Sequence, residues 1–204
     1  MARNTGPVCK LCRRRGDKLM LKGDRCFTPK CAMDRRGKPP SRRRTASDRG
    51  LQLIEKQKAR YTYGVLEKQF RRAFTQAERQ LGITGENLQV LLERRLDNVV
   101  YRLGFADSRA QARQLVQHGH IMLNGRKTDI PSCLVKEGDI ISWKDRGTKT
   151  EYYKQLMKSI EAKSIASWLS LDRQKMAGQV LSLPTPDEIG AKFNSKTIVE
   201  YYSR

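Results

Sequence analysis

The most chemically specific residues in this 204-residue chain are cysteines, and four of the five stand together: Cys9-Lys-Leu-Cys12, thirteen intervening residues, then Cys26-Phe-Thr-Pro-Lys-Cys31. Short pairs let one backbone turn aim two sulfurs at a tetrahedral ion, and the longer loop brings the second pair around it. So few apolar residues lie nearby that metal binding would itself supply the folding free energy. The surrounding cations favour thiolates over thiols. One structural zinc is the expected occupant; an iron-sulfur cluster also takes four thiolates, and ligand number leaves it open. Reactive thiols and coincidence are the blander readings. Cys133, between Ser132 and Leu134, reads as a small, partly buried residue.

A second constellation lies in the segment Ser108 to His118. Ala112, Leu115 and Val116 define an apolar helix face, while Arg109, Arg113 and Gln117 recur every four residues on another. Like charges at that spacing weakly destabilise an isolated helix, which makes sense with an anion opposite. The free N–H groups of the helix start add a place for phosphate. An ordinary solvated face is the competing reading. Tyr61, Tyr63 and Tyr101 are candidates for stacking on bases, although such tyrosines more often pack.

Catalysis finds little support. The two histidines, His118 and His120, flank a helix end, and there is no phosphate loop ending in Gly-Lys-Ser/Thr. An enzyme would need a separate catalytic domain, for which the stretches on either side of this helix leave little room. A metal-dependent DNA-binding regulator would need a recognition helix, and residues 13 to 25 show no clear helical stripe.

The elements that would position these groups follow from periodicity and turn chemistry. A helix starts at a cap near Ser47 or Asp48, carries Leu51, Ile54 and Lys58, and ends at Tyr61-Thr62-Tyr63-Gly64. A second, from about Glu67 to Gln80, has Phe70, Phe74, Ala77 and Leu81 in register and stops at Gly82. A third begins near Thr84 and turns Leu88, Leu91, Leu92 and Leu96 inward, continuing towards Val99, Val100 and Leu103. Ser108 caps the next helix and Gly119 suits the left-handed position after it. Then come a strand at 120–123, the hairpin signal Asn124-Gly125, and a strand at Ile140-Ile141-Ser142-Trp143. Residues 149–163 read as helix, and Val180 to Leu183 and Thr197 to Tyr201 as strands.

Charge argues for a polyanionic partner. Lys and Arg number 42 against 21 Asp and Glu, a net +21, and a free protein so charged repels itself. Residues 1–50 hold 16 cations against 4 acids, a net +12. Lys10, Arg13 and Arg14 beside the cysteines, and Arg35, Arg36, Arg42, Arg43 and Arg44 in the Pro- and Gly-interrupted stretch behind them, form a candidate electrostatic arm for phosphates. No apolar run approaches the roughly 18 residues of a spanning helix, and the N-terminus lacks a signal-peptide core. A cytoplasmic location with reduced thiols is expected.

The string from Arg94 to Arg126, Arg-Arg-Leu-Asp-Asn-Val-Val-Tyr-Arg-Leu-Gly-Phe-Ala through His-Gly-His-Ile-Met-Leu-Asn-Gly-Arg, closely resembles the RNA-binding module named after the fourth protein of the small ribosomal subunit. The four-cysteine N-terminus, Trp168-Leu-Ser-Leu-Asp172 and the ending Glu200-Tyr-Tyr-Ser-Arg204 extend the resemblance to that bacterial ribosomal family over essentially the full length, in its metal-binding version. The resemblance implies a non-enzymatic primary binder of small-subunit rRNA. It further implies nucleation of subunit-body assembly, a contribution to translational accuracy, and contacts with neighbouring ribosomal proteins. It places the module's RNA face on Arg94, Arg95, Ser108, Arg109, Arg113, Gln114, His118, His120, Asn124, Gly125 and Arg126. The expected architecture is α+β: a metal-bound basic arm (1–45), a helical body (46–93), an inserted helix-plus-sheet RNA module (94–156), and C-terminal strands (157–204) packing back on the body.

Overall fold

A computed structural model describes residues 6–36 and 47–203. In chain order its helices are α1 (Cys9–Arg15), α2 (Ala32–Arg36), α3 (Asp48–Thr62), α4 (Glu67–Glu78), α5 (Thr84–Glu93), α6 (Leu96–Arg102), α7 (Arg109–Gln117), α8 (Asp145–Thr148), α9 (Glu151–Ser159), α10 (Pro186–Ile189) and α11 (Ser195–Tyr202). The strands are β1 (Ile121–Leu123), β2 (Arg126–Lys127), β3 (Ile140–Trp143), β4 (Leu169–Asp172) and β5 (Ala177–Val180). Two compact units result, residues 1–89 with 191–204, and residues 90–190. The mixture of helices with an antiparallel sheet is the expected α+β class.

In the first unit, α3 begins where Ser47 caps it, its hydroxyl accepting from the Gly50 N–H at 3.3 Å. The buried face is Gln52, Lys56 and Ala59, while Leu51 is 51% exposed. This corrects the apolar stripe expected from Leu51, Ile54 and Lys58. The covering element is α11, which seals Ile198 against solvent and brings the Tyr202 ring to 4.6 Å from Phe74 and 6.3 Å from Phe70. Lys56 survives burial because its Nζ donates to Glu67 at 2.6 Å and lies 4.9 Å from the Tyr201 ring. On α4 the residues Phe70, Phe74 and Ala77 are buried as expected. Leu81 lies beyond the helix end and is 99% exposed, so it leaves that stripe.

Thr197 to Tyr201, expected as a strand, is helical. Asn194 accepts from the N–H groups of Lys196 and Thr197 at 3.0 and 3.3 Å, satisfying two donors at a helix start. The helical period then sends Ile198 and Tyr202 to one side, where strand alternation would have paired Ile198 with Glu200.

The second unit is a five-stranded antiparallel sheet in the order β2-β1-β3-β5-β4. Asn124 and Gly125 sit at φ +52° and +74°, the pair of positive values that a two-residue hairpin turn requires. One sheet face, with Ile121, Ile141, Trp143, Leu169 and Val180, closes a core with Val99 and Val100 of α6, Leu103 just past its end, Ala112 and Val116 of α7, and Leu156 of α9. Each fully buried Val, Leu or Ile side chain among them contributes about 1.5–3 kcal/mol. Gly178 is required where β5 passes the end of α6, since a Cβ there would overlap the buried side chain of Leu103, the residue that follows that helix. Because β4 and β5 pair onto β3, residues 157–190 belong with this unit, and only the helical end of the chain returns to the first. That corrects the expectation of C-terminal strands on the body.

The long third helix is interrupted after Glu93. The N–H groups of Leu96 and Asp97 donate to the Cys133 and Pro131 carbonyls at 2.8 and 3.1 Å, bonds a continuous helix would deny them. Among the described residues no helix is long and apolar enough to cross a membrane.

Candidate nucleic-acid interface and cysteine cluster

The segment around α6 and α7 splits the anticipated RNA face in two. Asp97 is buried and receives Arg95 through two bonds, Nε at 3.1 Å and Nη2 at 2.8 Å, and Arg113 Nη1 at 3.0 Å. Glu93, with no exposed surface, receives Arg102 at 2.9 and 2.8 Å and the Asn98 amide at 2.6 Å. Arg109 donates to Asn98 Oδ1 at 2.7 Å, stands 3.8 Å from Glu93 and lies 4.6 Å from the centre of the Tyr101 ring. The four-residue recurrence of arginine on α7 thus meets carboxylates of its own unit. Arg95 and Arg113 are corrected from surface contacts to interior ones.

Other expected contacts are structural in part. Arg94 is half-buried and donates to the Val135 carbonyl at 3.0 Å. Ser108 caps α7, accepting from the Gln111 N–H at 3.3 Å. The Asn124 amide donates to Asp139 at 2.8 Å and its oxygen accepts from the Ile140 N–H at 2.8 Å, clasping the hairpin to β3.

What remains outward is compact in sequence and in space. Gln114 of α7 and His118 at its C-terminal cap, one helical turn apart, are exposed, and Gly125 and Arg126 are exposed at the hairpin tip. The His118 and His120 rings are 6.1 Å apart. Burial, reinforced by His118 and Arg146, pushes His120 below its ordinary pKa. Lys127 was not anticipated. Its side chain lies against Gly119, where φ is +70° and a Cβ would stand 2.5 Å from Lys127 Cε. Arg146 was missed too; it is exposed on α8. The visible signal for Lys127 was a cation adjoining the Asn-Gly turn. For Arg146 there was none, because α8 meets His120 through tertiary contact: the Lys144 N–H donates to the His120 carbonyl at 2.8 Å and Gly147 lies against the same residue. Of the tyrosines, Tyr63 packs edge-on with Phe193 at 6.3 Å and is buried.

In the first unit, Cys9 and Cys12 lie on α1, which ends at Gly16 with φ +76°, the left-handed conformation of a helix stop. Cys26 closes a 3-10 turn, Gly23–Cys26, and its sulfur accepts from the Lys22 N–H at 3.3 Å. Cys31 immediately precedes α2, and Lys18 is joined to Asp34 of that helix at 2.6 Å. All four sulfur-bearing residues line one cavity of about 20 Å3, space enough for a single small occupant. Burial raises the Cys12 thiol above its ordinary pKa against the pull of the Leu19 N–H. Among the described residues no group of three or more His, Cys, Asp or Glu side chains is drawn tightly enough to hold a metal ion. The four cysteines face one small space but are not drawn into a coordination shell. Lys10, Arg14 and Arg35 are exposed here and Arg13 is half-buried. Arg36 closes α2, and Arg42, Arg43 and Arg44 lie outside the described residues.

Comparison with known proteins bears on both regions. Residues 3–93 match the family described as ribosomal protein S4/S9 N-terminal domain, and residues 94–141 match the S4 domain. Curated relatives named small ribosomal subunit protein uS4 are 57% identical in Dehalococcoides mccartyi, 53% in Halothermothrix orenii and 54% in Pelotomaculum thermopropionicum. In each case the match covers 100% of both chains. The chain therefore belongs to the uS4 family of small-subunit ribosomal proteins.

Proposed function

We propose that this protein is a structural, non-enzymatic constituent of the cytoplasmic small ribosomal subunit, binding its rRNA and neighbouring ribosomal proteins. On this reading it is a primary binder that nucleates assembly of the subunit body and contributes to translational accuracy. The observation that carries the proposal is the full-length identity of over half with relatives of that name. A net charge of +21 supplies the electrostatics, since each phosphate it neutralises releases counterions.

The contact surface proposed for the 94–156 module is the outward set: Gln114, His118, His120, Gly125 and Arg126, joined by Lys127. The half-buried Arg109 presents its edge beside Tyr101. Helical RNA hides its base edges in a deep groove, so these groups recognise phosphates, hydroxyls and folded shape. The arm 1–45 adds Lys10, Arg13, Arg14, Arg35, Arg36, Arg42, Arg43 and Arg44 as further cations for the RNA backbone.

The proposal includes one zinc held by Cys9, Cys12, Cys26 and Cys31. Donor kind and number fit a closed structural site, and the shared cavity supports it. When bound, the ion would cross-link two turns that have little apolar surface of their own. An iron-sulfur cluster is the second reading on the same donors, separable by metal content and visible absorption.

The test measures binding of the metal-analysed protein to small-subunit rRNA and to an equal mass of unrelated structured RNA, across a salt series. Selective binding that persists at moderate salt is the expected outcome. Equal binding to both RNAs, collapsing together as salt rises, would refute it. Duplex DNA as competitor should leave the rRNA complex intact.

A further inference from the structure

We propose that Asn124-Gly125 is a site of intramolecular self-modification, held latent by a hydrogen-bond clasp on the Asn124 amide; its consequence for RNA rests on the rRNA-binding reading. The chain has five asparagines, and the residues that follow them are Thr5, Leu88, Val99, Gly125 and Ser195. Only at Gly125 does the next backbone nitrogen lack a side chain to shield it. That nitrogen can attack the asparagine Cγ. A bond forms between Gly125 N and Asn124 Cγ, the Cγ–Nδ2 bond breaks, and Nδ2 leaves as ammonia with the proton from the glycine nitrogen. Water then opens the five-membered imide at either carbonyl. The product is aspartate or, with the main chain rerouted through Cγ, isoaspartate, and water is the sole co-reactant.

The nucleophile is open and the amide is guarded. Asn124 and Gly125 are both exposed, and nothing stands within 4 Å of a Cβ built on Gly125. Among the described residues the Gly125 N–H has no hydrogen-bond partner. The Asn124 side chain, in contrast, is held at both ends. Its Nδ2 donates to Asp139 Oδ1 at 2.8 Å and its Oδ1 accepts from the Ile140 N–H at 2.8 Å. Asp139 is itself anchored, since its other carboxylate oxygen accepts from the Lys136 N–H at 2.7 Å and its carbonyl from the Val180 N–H at 3.0 Å. Cγ joins the two held atoms, so it cannot swing freely onto the glycine nitrogen while both bonds stand. The bond to the carboxylate is the stronger of the two. Asp139 is therefore the positioning residue that postpones the reaction.

Loss of the amide turns the clasp into a conflict. The product carboxylate has no N–H to offer Asp139, and two like charges meet where a 2.8 Å hydrogen bond now stands. A negative charge also enters beside Arg126 and Lys127, both exposed, and subtracts from the cationic surface offered to phosphate. Rerouting through Cγ adds a main-chain atom to a two-residue turn whose register pairs Leu123 with Arg126. The modified hairpin is thereby a poorer RNA surface.

The test ages the full-length protein at mildly alkaline pH, folded and in urea, and measures aspartate and isoaspartate at position 124 by peptide mapping with mass spectrometry. Wild type is compared with Asp139→Ala, with Asp139→Asn, and with Asp129→Ala, which removes an exposed acid that does not bond Asn124. In urea all four should modify at one rate. In the folded state Asp139→Ala should exceed wild type by about tenfold, the factor carried by one hydrogen bond to a charged group. Asp139→Asn, which keeps an oxygen for the amide, should fall between, and Asp129→Ala should match wild type. If Asp139→Ala does not keep its urea midpoint, Asp139→Asn carries the comparison. Wild type ageing as fast folded as in urea, or both Asp139 variants ageing like wild type, would overturn the clasp. Asn124 left intact in urea would overturn the site. Asn124→Asp should lose affinity for small-subunit rRNA, and affinity equal to wild type would overturn the consequence for RNA. Wild-type protein without rRNA selectivity would instead defeat the broader reading while leaving the ageing rates untouched, so the two failures are distinguishable.

Discussion

Replacing Asp97 by Asn keeps its size and removes its charge from beneath two guanidiniums. The Asp97 side chain is 5% exposed, and those of Arg95 and Arg113 are 9% and 11% exposed. Neither arginine gains a water-facing route to disperse its charge. Removing one member of a buried pair costs about 3–5 kcal/mol, because the remaining ion stays desolvated. Two arginines share one carboxylate, so their losses are not additive and a total near 4 kcal/mol is expected. That is a large part of a stability of about 5–15 kcal/mol. In urea, at a slope of about 2 kcal/mol per molar, the midpoint falls by about 2 M. The exposed pair Lys154–Glu151, with side chains 61% and 79% accessible, is the control; Glu151→Gln should cost under about 0.5 kcal/mol. Adding Arg113→Met to D97N should recover part of the loss by removing one stranded charge. Unfolding of D97N within 1 kcal/mol of wild type at an unchanged slope would show that Asp97 does not hold the two arginines.

Gly178→Ala should lose about 1–3 kcal/mol in the same assay, since the new methyl meets Leu103 inside a filled core, and Leu103→Ala should lessen the penalty of that methyl in a double-variant cycle. Glu67 sets part of the acid limb. Burial alone would raise its pKa, yet hydrogen bonds from Lys56 and Tyr202, with Arg60 nearby, hold it below the ordinary glutamate value. Its contribution is therefore complete above that ordinary value, about 4.3, and is lost as pH falls through the depressed one. Glu67→Gln should flatten the fall in stability on acidification below about pH 5, and an unaltered acid limb would rule out this role. If the proposed zinc is held by four thiolates, Cys9→Ser should abolish stoichiometric zinc binding and speed proteolysis within residues 1–45, and stoichiometric metal in that variant would exclude the four-thiolate site. Arg126→Ala with Lys127→Ala should weaken rRNA binding and flatten its salt slope without moving the urea midpoint.

The elements that were legible in the sequence are those fixed by local chemistry. Ser108 as a cap, Gly119 at a left-handed stop and Asn124-Gly125 as a turn each act within a few residues, and each stands in the fold as read. The end of the chain was misread because Thr197, Ile198, Val199 and Tyr201 have strand propensities, while docking on α3 and the Asn194 cap decide for helix. The cap was visible, but its consequence was outweighed by composition.

The arginines illustrate a deeper limit. A four-residue recurrence of Arg on a helix says that an anion should stand opposite, and says nothing of whether that anion is RNA or a carboxylate of the same chain. On α7 the anions are Glu93 and Asp97, acids set within an apolar run and hidden by a helix break that no local signal marks. On α4 a comparable recurrence finds no ion-pair partner among the described residues, and there the sequence drew notice only for its apolar stripe of Phe70, Phe74, Ala77 and Leu81. Cationic periodicity becomes functional information once the fold's own carboxylates have been assigned. The α4 cations and the hairpin tip remain outward-facing after that assignment, and they are where the salt dependence of RNA binding should be sought.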